Sequence, residues 1–358
     1  MLLTPMAFAE IKLVLDAPLE RQVFQRNADE RAEVKLAGTV PADTAVVEAR
    51  AELEAGRRGS AVDWTVVAGE AQIKDGRFSG GLNLTTGGWY ALKVRFRKST
   101  ADQTVLGGAS VAQVGVGDVF ITAGQSNSVN FGKPRQKSNE SLSVYFDGKQ
   151  FTQASDPIPD AVGDGGTPWP LLGDMLSRTT RAPVCFRAAT VNWLRVHQWL
   201  PGDGSGNIER LVERTKWFGP EGVRAVLWVQ GEADADDPGK PSTTAADYER
   251  DAKAMIEASR KMLGWKLDWF VAGNSYIPPK PGKDYRQSIA DILGAQTALW
   301  DKGVAFRGPD TNDLVGSGEY RHDSIHFGPR GLLVHAERWY AALSSHYQLA
   351  NPVSGKGK

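Results

Sequence analysis

A serine at the end of an apolar segment is the first candidate for chemistry in this sequence. The apolar residues 119–123 run into Gly124, and Ser126 follows two positions later. A strand that ends in a tight turn projects a nucleophile into a pocket, while backbone N–H groups of the turn face an anion. A Gly-x-Ser turn is weak evidence alone, because such turns also occur in inert loops. Its weight depends on a base and an acid elsewhere in the chain.

A candidate base and acid occur together near the C-terminus, in the spacing Asp323-x-x-His326. A separation of three residues lets the carboxylate reach one ring nitrogen while the other nitrogen points outward. A serine hydroxyl needs a base within hydrogen-bond reach, and the base needs an orienting acid. The alternative is that Asp323 caps a helix beside a surface histidine. His335 and His346 fall within the predicted last helix, where packing or exposure explains them.

A third polar cluster follows the apolar residues 226–229, in the motif Gln-Gly-Glu-Ala-Asp. Gln230 could donate an amide N–H to a developing oxyanion. Glu232 and Asp234 could brace loops or cap the next segment, and this structural role is the favoured interpretation of both carboxylates. The cluster is predicted to lie at the same sheet edge as Ser126.

The elements before residue 118 are predicted to be short antiparallel strands. Their residues mostly alternate between apolar and polar, with Gly, Asp and Asn turns between them, which favours a small β-sandwich. The strands are predicted at Ile11–Leu15, Ala32–Leu36, Val46–Ala51 and Trp89–Phe96.

Beyond residue 118, apolar runs alternate with segments of helical period, which predicts a mostly parallel sheet covered by helices on both faces. Sites in such sheets form at the carboxyl ends of the strands, where Ser126 lies. The strands are predicted at 119–123, 183–189, 223–229, 268–273 and 304–307, and the helical segments at 248–262 and 332–343. The predicted organisation is a candidate signal-peptide remnant at 1–9, a β-sandwich-like domain at 10–117, a catalytic domain at 118–350 and a flexible tail at 351–358.

Three motifs occur in one order: Gly-Gln-Ser-Asn, Trp-x-Gln-Gly-Glu-x-Asp and Asp-x-x-His-Phe. Together they resemble the sialate O-acetylesterase-like group of the SGNH (GDSL-type) hydrolase superfamily, which includes carbohydrate esterase family six. The resemblance covers residues 118–345. It implies a flavodoxin-like three-layer α/β/α fold, with Ser126 as nucleophile, His326 as base and Asp323 as its orienter. It also implies that the Ser126 N–H and Gln230 are oxyanion donors.

One segment departs from the family pattern. Relatives usually carry a glycine, whose N–H completes the oxyanion hole, before an Ile-x-x-Trp element. Here the element survives as Val196 to Trp199, and no glycine precedes it within residues 189–195. Asn192 falls near the expected place and is predicted as the replacement donor. Alternatively, Trp193 and Arg195 reshape the pocket.

Several residues near the motifs are predicted to contact the substrate. Aromatic faces suit sugar rings, and the bland alternative for each tryptophan is core packing. The predicted substrate-binding residues are Gln125, Asn127, Glu232, Trp169 and Trp193.

Composition limits the classes of partner. The chain has 358 residues, 41% of them apolar, with 42 basic and 42 acidic side chains. This balance argues against nucleic acid, and no apolar run approaches the ~20 residues of a membrane span. The single Cys185 excludes an internal disulfide, and no Cys/His cluster has metal spacing, so no metal or cofactor is expected. Ala7-Phe8-Ala9 fits a small-x-small cleavage pattern, so an export remnant and a plain disordered terminus are both left open. The predicted location is periplasmic or secreted.

The sequence therefore predicts a metal-free serine esterase that removes acetyl groups from a carbohydrate through an acyl-enzyme. One alternative is an esterase of the same fold acting on other acyl or methyl esters. Another is a catalytically impaired carbohydrate-binding protein. The oligomeric state is left open.

Overall fold

The computed structural model describes residues 14–236, 240–316 and 318–349. The segments predicted as a signal-peptide remnant (1–9) and a flexible tail (351–358) lie outside the described residues. The chain divides into two compact units, residues 1–116 and 117–358. In the described ranges, no helix combines the length and apolar character that crossing a membrane requires.

The first unit is built from short strands. They are β1 Val14–Ala17, β2 Gln22–Gln25, β3 Arg31–Thr39, β4 Val46–Leu53, β5 Val62–Ala68, β6 Ile73–Lys74, β7 Arg77–Thr85, β8 Gly87–Arg97 and the first part of β9 Gly107–Gly124. One antiparallel sheet has the order β1-β3-β7-β6. In the other, β4 pairs antiparallel with β5 and β8, β8 pairs antiparallel with β9, and β2 also pairs with β9.

The core of the first unit follows from alternation along these strands. In β3, Val34 and Leu36 are fully buried while Glu33 and Lys35 are exposed. Alternation of this kind places one face of each strand on the core and the other face in water. Members of the resulting apolar cluster come from both sheets, including Val34, Leu36, Val47, Leu84, Leu92, Phe96 and Val114.

The second unit combines strands with helices. Its strands are the last part of β9, β10 Ser143–Phe146, β11 Phe151–Gln153, β12 Val184–Ala188, β13 Ala225–Val229, β14 Asp268–Gly273 and β15 Phe306–Asp310. Its helices are α1 Trp169–Thr180, α2 Asn207–Lys216, α3 Glu232–Ala235, α4 Ala245–Leu263, α5 Arg286–Asp301 and α6 Pro329–Tyr347. Several helix ends follow local signals: Thr244 caps the start of α4, Gly264 ends it in a left-handed conformation, and Pro329 begins α6.

The strand order of the second unit is β11-β10-β12-β9-β13-β14-β15. All neighbours from β10 to β15 are parallel, and β11 adds an antiparallel edge strand. The five residues of β12 and the five of β13 are all buried, as expected for strands covered on both faces. Trp169 of α1 and Trp339 of α6 pack on one face with Phe120 and Phe186. The predicted fold class, a mixed α/β protein with a sheet-rich N-terminal region and helices flanking a parallel sheet, is confirmed.

Strand β9 differs from its prediction. The sequence predicts a break near residue 117, whereas the structure has one strand of 18 residues that contributes to both units. A Cβ at Gly117 would lie 1.9 Å from the carbonyl oxygen of Pro183, so this glycine permits the close approach of a neighbouring backbone inside the strand.

Candidate active site at the carboxyl ends of the parallel strands

The turn after β9 places Ser126. Gly124 has a φ of +123°, and a Cβ there would lie 2.0 Å from the carbonyl oxygen of Val229, so only glycine fits. The Gln125 N–H donates to the same oxygen at 2.9 Å, and Ser126–Ser128 form a single 3-10 turn. Ser126 is buried, and within residues 14–236, 240–316 and 318–349 its Oγ has no hydrogen-bond partner. The hydroxyl is therefore uncommitted.

The loop before α6 places the predicted base and acid together. His326 Nδ1 lies 2.6 Å from Asp323 Oδ2, and the His326 N–H donates to Asp323 Oδ1 at 2.7 Å. The side chain of His326 is 16% exposed and that of Asp323 is 41% exposed. Partial burial raises the pKa of Asp323, but the hydrogen bonds from His326 and Ile325 outweigh it and hold this pKa below the usual value. The carboxylate is thus ionised and orients the ring.

The serine turn and the histidine loop touch each other. Asn127 Nδ2 donates to the carbonyl oxygen of Ile325 at 3.3 Å, and the His326 ring stacks on Phe131 with centroids 5.1 Å apart. The ring nitrogen Nε2 of His322 lies 2.9 Å from the carbonyl oxygen of Phe131. The structure therefore brings the residue after Ser126 against the residue before His326.

Gln230 is not available as an oxyanion donor, which corrects the prediction. It is fully buried, and its Nε2 donates to Leu194 O at 2.9 Å and to Asp234 Oδ2 at 2.5 Å. Its Oε1 accepts from the Tyr248 hydroxyl at 2.9 Å. Both amide hydrogens are used inside the protein, because a buried amide without partners would be costly.

Asp234 has the structural role favoured from the sequence. Besides Gln230, it accepts hydrogen bonds from Val196 N at 2.9 Å and from Thr243 Oγ1 at 2.6 Å. Burial raises the pKa of this carboxyl, although those hydrogen bonds and nearby Arg195 oppose the shift. Asp234 therefore joins three separate segments at the carboxyl edge of the sheet.

Three residues predicted to contact substrate are instead buried. Gln125 and Glu232 are fully buried and Asn127 is 3% exposed. Gln125 Oε1 accepts weakly from two N–H groups of the turn after β13, and Glu232 Oε1 accepts from Asn127 Nδ2 at 2.5 Å. These side chains hold neighbouring turns, and their direct contact with substrate stays a prediction.

Trp169 is wrongly predicted to line a groove. It is fully buried, its Nε1 donates to Ser128 O at 2.9 Å, and its ring lies between Phe186 and Trp339. Trp193 is partly exposed and has a φ of +49°, a left-handed conformation uncommon for tryptophan. Asn192, next to it, is exposed. These two remain at positions open to a ligand.

One group in the described ranges could hold a metal ion. His322, Asp323 and His326 each offer a ligand atom, and these atoms lie within 4.8 Å of one another. The Nδ1 of His326 is already hydrogen-bonded to Asp323, and the Nε2 of His322 is within hydrogen-bond distance of Phe131 O. These contacts fit an orienting role, and the absence of a metal stays a prediction.

Arg321 was not recognised from the sequence. It is 2% exposed and donates to the carbonyl oxygens of Leu314, Thr311 and Ile325, with its guanidinium over the Phe327 ring. Burial lowers its pKa to about 10, opposed first by the charge of Glu232. An arginine next to His322 gives no sequence signal for this role, since surface arginines are common.

One family of known proteins matches part of this chain. The family model described as "Carbohydrate esterase, sialic acid-specific acetylesterase" matches residues 116–274, a range that contains Ser126 and Glu232 but ends before His326. No curated protein sequence matches the chain significantly.

Two solved structures show the fold. A carbohydrate acetylesterase from Xanthomonas citri is 17% identical, with a TM-score of 0.57 over 94% of this chain and 75% of that protein. A protein from Arabidopsis thaliana is 19% identical, with a TM-score of 0.50 over 64% of this chain and 98% of that protein. The resemblance inferred from the three motifs is confirmed: over residues 116–274 the chain matches the carbohydrate esterase, sialic acid-specific acetylesterase family.

Proposed function

We propose that this protein is a serine esterase that removes acetyl groups from a carbohydrate through an acyl-enzyme. One observation carries the proposal: an Asp323–His326 pair lies on a loop that contacts the turn of Ser126, and the Ser126 hydroxyl is uncommitted. The family match supports an acetyl ester of a carbohydrate as the substrate.

The first half of the proposed reaction forms the acyl-enzyme. Asp323 holds the His326 ring through Nδ1, so Nε2 takes the proton of Ser126 as Oγ attacks the ester carbonyl. The oxyanion is stabilised by the Ser126 N–H, which stands at the first position of the 3-10 turn. Asn192 is our candidate for a second donor. His326 then gives its proton to the leaving sugar oxygen, and the C–O bond breaks.

The second half releases acetate. Water loses a proton to His326 and attacks the acyl carbonyl. The tetrahedral intermediate then collapses to acetate as the bond to Oγ breaks, and His326 returns its proton to Ser126 Oγ. The partly exposed ring of Trp193 is our candidate for contact with the sugar, because aromatic faces suit the C–H side of sugar rings. Gln230 has no part in this proposal.

The test compares two serine variants. Ser126→Ala should lower kcat/KM for 4-nitrophenyl acetate by about 10³-fold or more, because the nucleophile is lost. Ser177→Ala removes a buried serine of α1 outside the site and should leave the rate within about threefold of wild type. If Ser126→Ala keeps comparable activity, the proposed nucleophile is wrong.

The substrate is tested by acetate release from acetylated xylan, pectin, xyloglucan and sialic acids, beside butyryl and octanoyl esters. Preferential release of acetate from one of these sugars would support the proposal. Faster cleavage of the longer acyl esters would favour the alternative esterase. Polysaccharide binding without acetate release would favour the impaired carbohydrate-binding protein.

A further inference from the structure

Asn127 makes two hydrogen bonds that join three parts of the site. Its Nδ2 donates to Glu232 Oε1 at 2.5 Å, in the turn after β13, and to the Ile325 carbonyl oxygen at 3.3 Å. Asn127 follows Ser126 directly, and Ile325 precedes His326 directly. One amide nitrogen therefore links the backbone that carries the proposed nucleophile to the backbone that carries the proposed base.

Glu232 supports this link with a buried charge. Its side chain is fully buried, and within the described residues its Oε2 has no hydrogen-bond partner. Arg321 is also buried, and the charge of Glu232 opposes the lowering of its pKa by burial. Arg321 donates to the same Ile325 carbonyl oxygen that accepts from Asn127. The base's loop is thus held at one carbonyl oxygen by two donors.

This arrangement is poorly explained by stability alone. Asn127 Oδ1 and Glu232 Oε2 are both buried and, in the part of the chain that the structure describes, lack hydrogen-bond partners. An unsatisfied buried carboxylate oxygen is expensive, and an apolar pair of similar size would avoid the cost. A buried carboxylate–amide pair that bonds to the base's loop, in place of an apolar pair, points to a role in holding geometry.

We propose that Asn127 and Glu232 are positioning residues that fix the separation of Ser126 and His326. Arg321 donates a second hydrogen bond to the same Ile325 carbonyl oxygen. This inference rests on the proposed function. Glu232 acts through Asn127. Its carboxylate orients the side-chain amide of Asn127, and this amide donates the hydrogen bond that holds the Ile325 carbonyl. The hydrogen bonds of Asn127 and Glu232 affect the rate only by setting how closely His326 Nε2 approaches Ser126 Oγ.

Asn130 offers a matched control in the same loop. It is also buried, at 1% exposed, and its side chain makes two hydrogen bonds to the backbone of Ile158, at 2.9 and 2.7 Å. Its partner segment contains none of the proposed catalytic residues. Removing either asparagine side chain therefore breaks two hydrogen bonds of one loop, but only Asn127 connects to the base.

The experiment compares Asn127→Ala with Asn130→Ala in the full chain, with 4-nitrophenyl acetate as substrate. Asn127→Ala should lower kcat about 100-fold with KM within about threefold of wild type, and slow the labelling of Ser126 by a phosphonofluoridate in parallel. Asn130→Ala should lower the thermal midpoint comparably while kcat stays within about threefold. If Asn127→Ala does not fold, Asn127→Leu tests the same point, because it has a similar volume but no N–H to donate. Equal kcat in the Asn127 and Asn130 variants would overturn the proposal.

A double-variant cycle tests whether Glu232 acts through Asn127. Glu232→Ala should lower kcat by a similar factor, and the double variant should lose no more than about threefold beyond either single variant. Losses that multiply would contradict action through Asn127. Ser126→Ala separates the two hypotheses: full activity there refutes the proposed function, whereas its inactivity beside an unimpaired Asn127→Ala refutes only the positioning role.

Discussion

The turn that carries Ser126 and the loop that carries His326 are held in different ways. Ser126 is 1% exposed, and its turn is tied to Val229 on the neighbouring strand, 103 positions away in the chain. The Asp323 side chain is 41% exposed, and the bonds that orient His326 span only three residues. The serine turn is thus fixed by a contact with a distant strand, whereas the orientation of the His326 ring depends on local spacing.

This difference separates fold from chemistry. A change at Asp323, whose side chain is 41% exposed, should lower activity with little loss of stability, because few buried contacts are lost. A change in the buried serine turn should lower both, because the same backbone bonds hold the sheet edge and the nucleophile. A variant of the Asp323–His326 pair that loses mainly stability would contradict this difference, as would a variant of the serine turn that loses only activity.

The largest expected effect is that of Asp323→Asn on activity. The amide can no longer stabilise a protonated ring or enforce the tautomer with a proton on Nδ1, so kcat/KM should fall about 10³-fold, roughly 4 kcal/mol. The free energy of unfolding near pH 7 should change by less than about 1 kcal/mol, since the side chain is 41% exposed. Ester hydrolysis and urea unfolding measure the two quantities. A large loss of stability with little loss of activity would reverse the comparison.

The next effect is that of Gly124→Ala on stability. The new Cβ would lie 2.0 Å from the Val229 carbonyl oxygen, at a φ of +123°, so the free energy of unfolding should fall by about 3 kcal/mol. Gly294→Ala is the matched control, because nothing lies within 4 Å of its new Cβ inside α5. That substitution should stabilise the protein by about 0.5–1 kcal/mol. Equal stability in the two variants would show that the serine turn is not under this constraint.

The same division explains what the sequence could predict. The Asp323–His326 contact follows from a spacing of three residues, and the parallel strands follow from apolar runs such as 225–229 and 268–273. The environment of Gln230 could not be predicted, because its partners Leu194, Asp234 and Tyr248 come from three segments. Only the folded sheet brings these segments together, and there they use the amide hydrogens that the motif suggested were free.

The burial of individual side chains also could not be predicted from the sequence. Trp169 stands close to the motif segments in the chain, yet α1 turns its ring into the core against Phe186 and Trp339. Glu232 reads as a polar residue at a strand end, yet its carboxylate is fully buried. Residue type and position relative to a strand end predict which sheet edge a side chain occupies. They do not predict whether it faces the solvent or the neighbouring turn.

The smallest expected effect is on stability at acid pH, and it arises from His335, which packs against the loop that carries His326. His335 of α6 is fully buried against the Phe327 ring, with centroids 4.6 Å apart, and its Nε2 accepts from Trp339 Nε1. Burial, then the charges of Arg321 and Arg338, lower its pKa from 6.5 to about 3.

Because the folded pKa of His335 lies below the unfolded value, only the unfolded chain takes up this proton between pH 6.5 and about 3. Stability that is present above pH 6.5 is therefore lost as the pH falls through that window, by at most about 1.4 kcal/mol per pH unit from this residue. His335→Gln keeps an acceptor for Trp339 but cannot titrate, so urea unfolding between pH 6 and 4 should show a shallower loss than wild type. If His335→Gln and wild type lose stability in parallel as the pH falls, the acid sensitivity arises from other residues. The loop that carries His326 would then depend more on its local hydrogen bonds than on packing against His335.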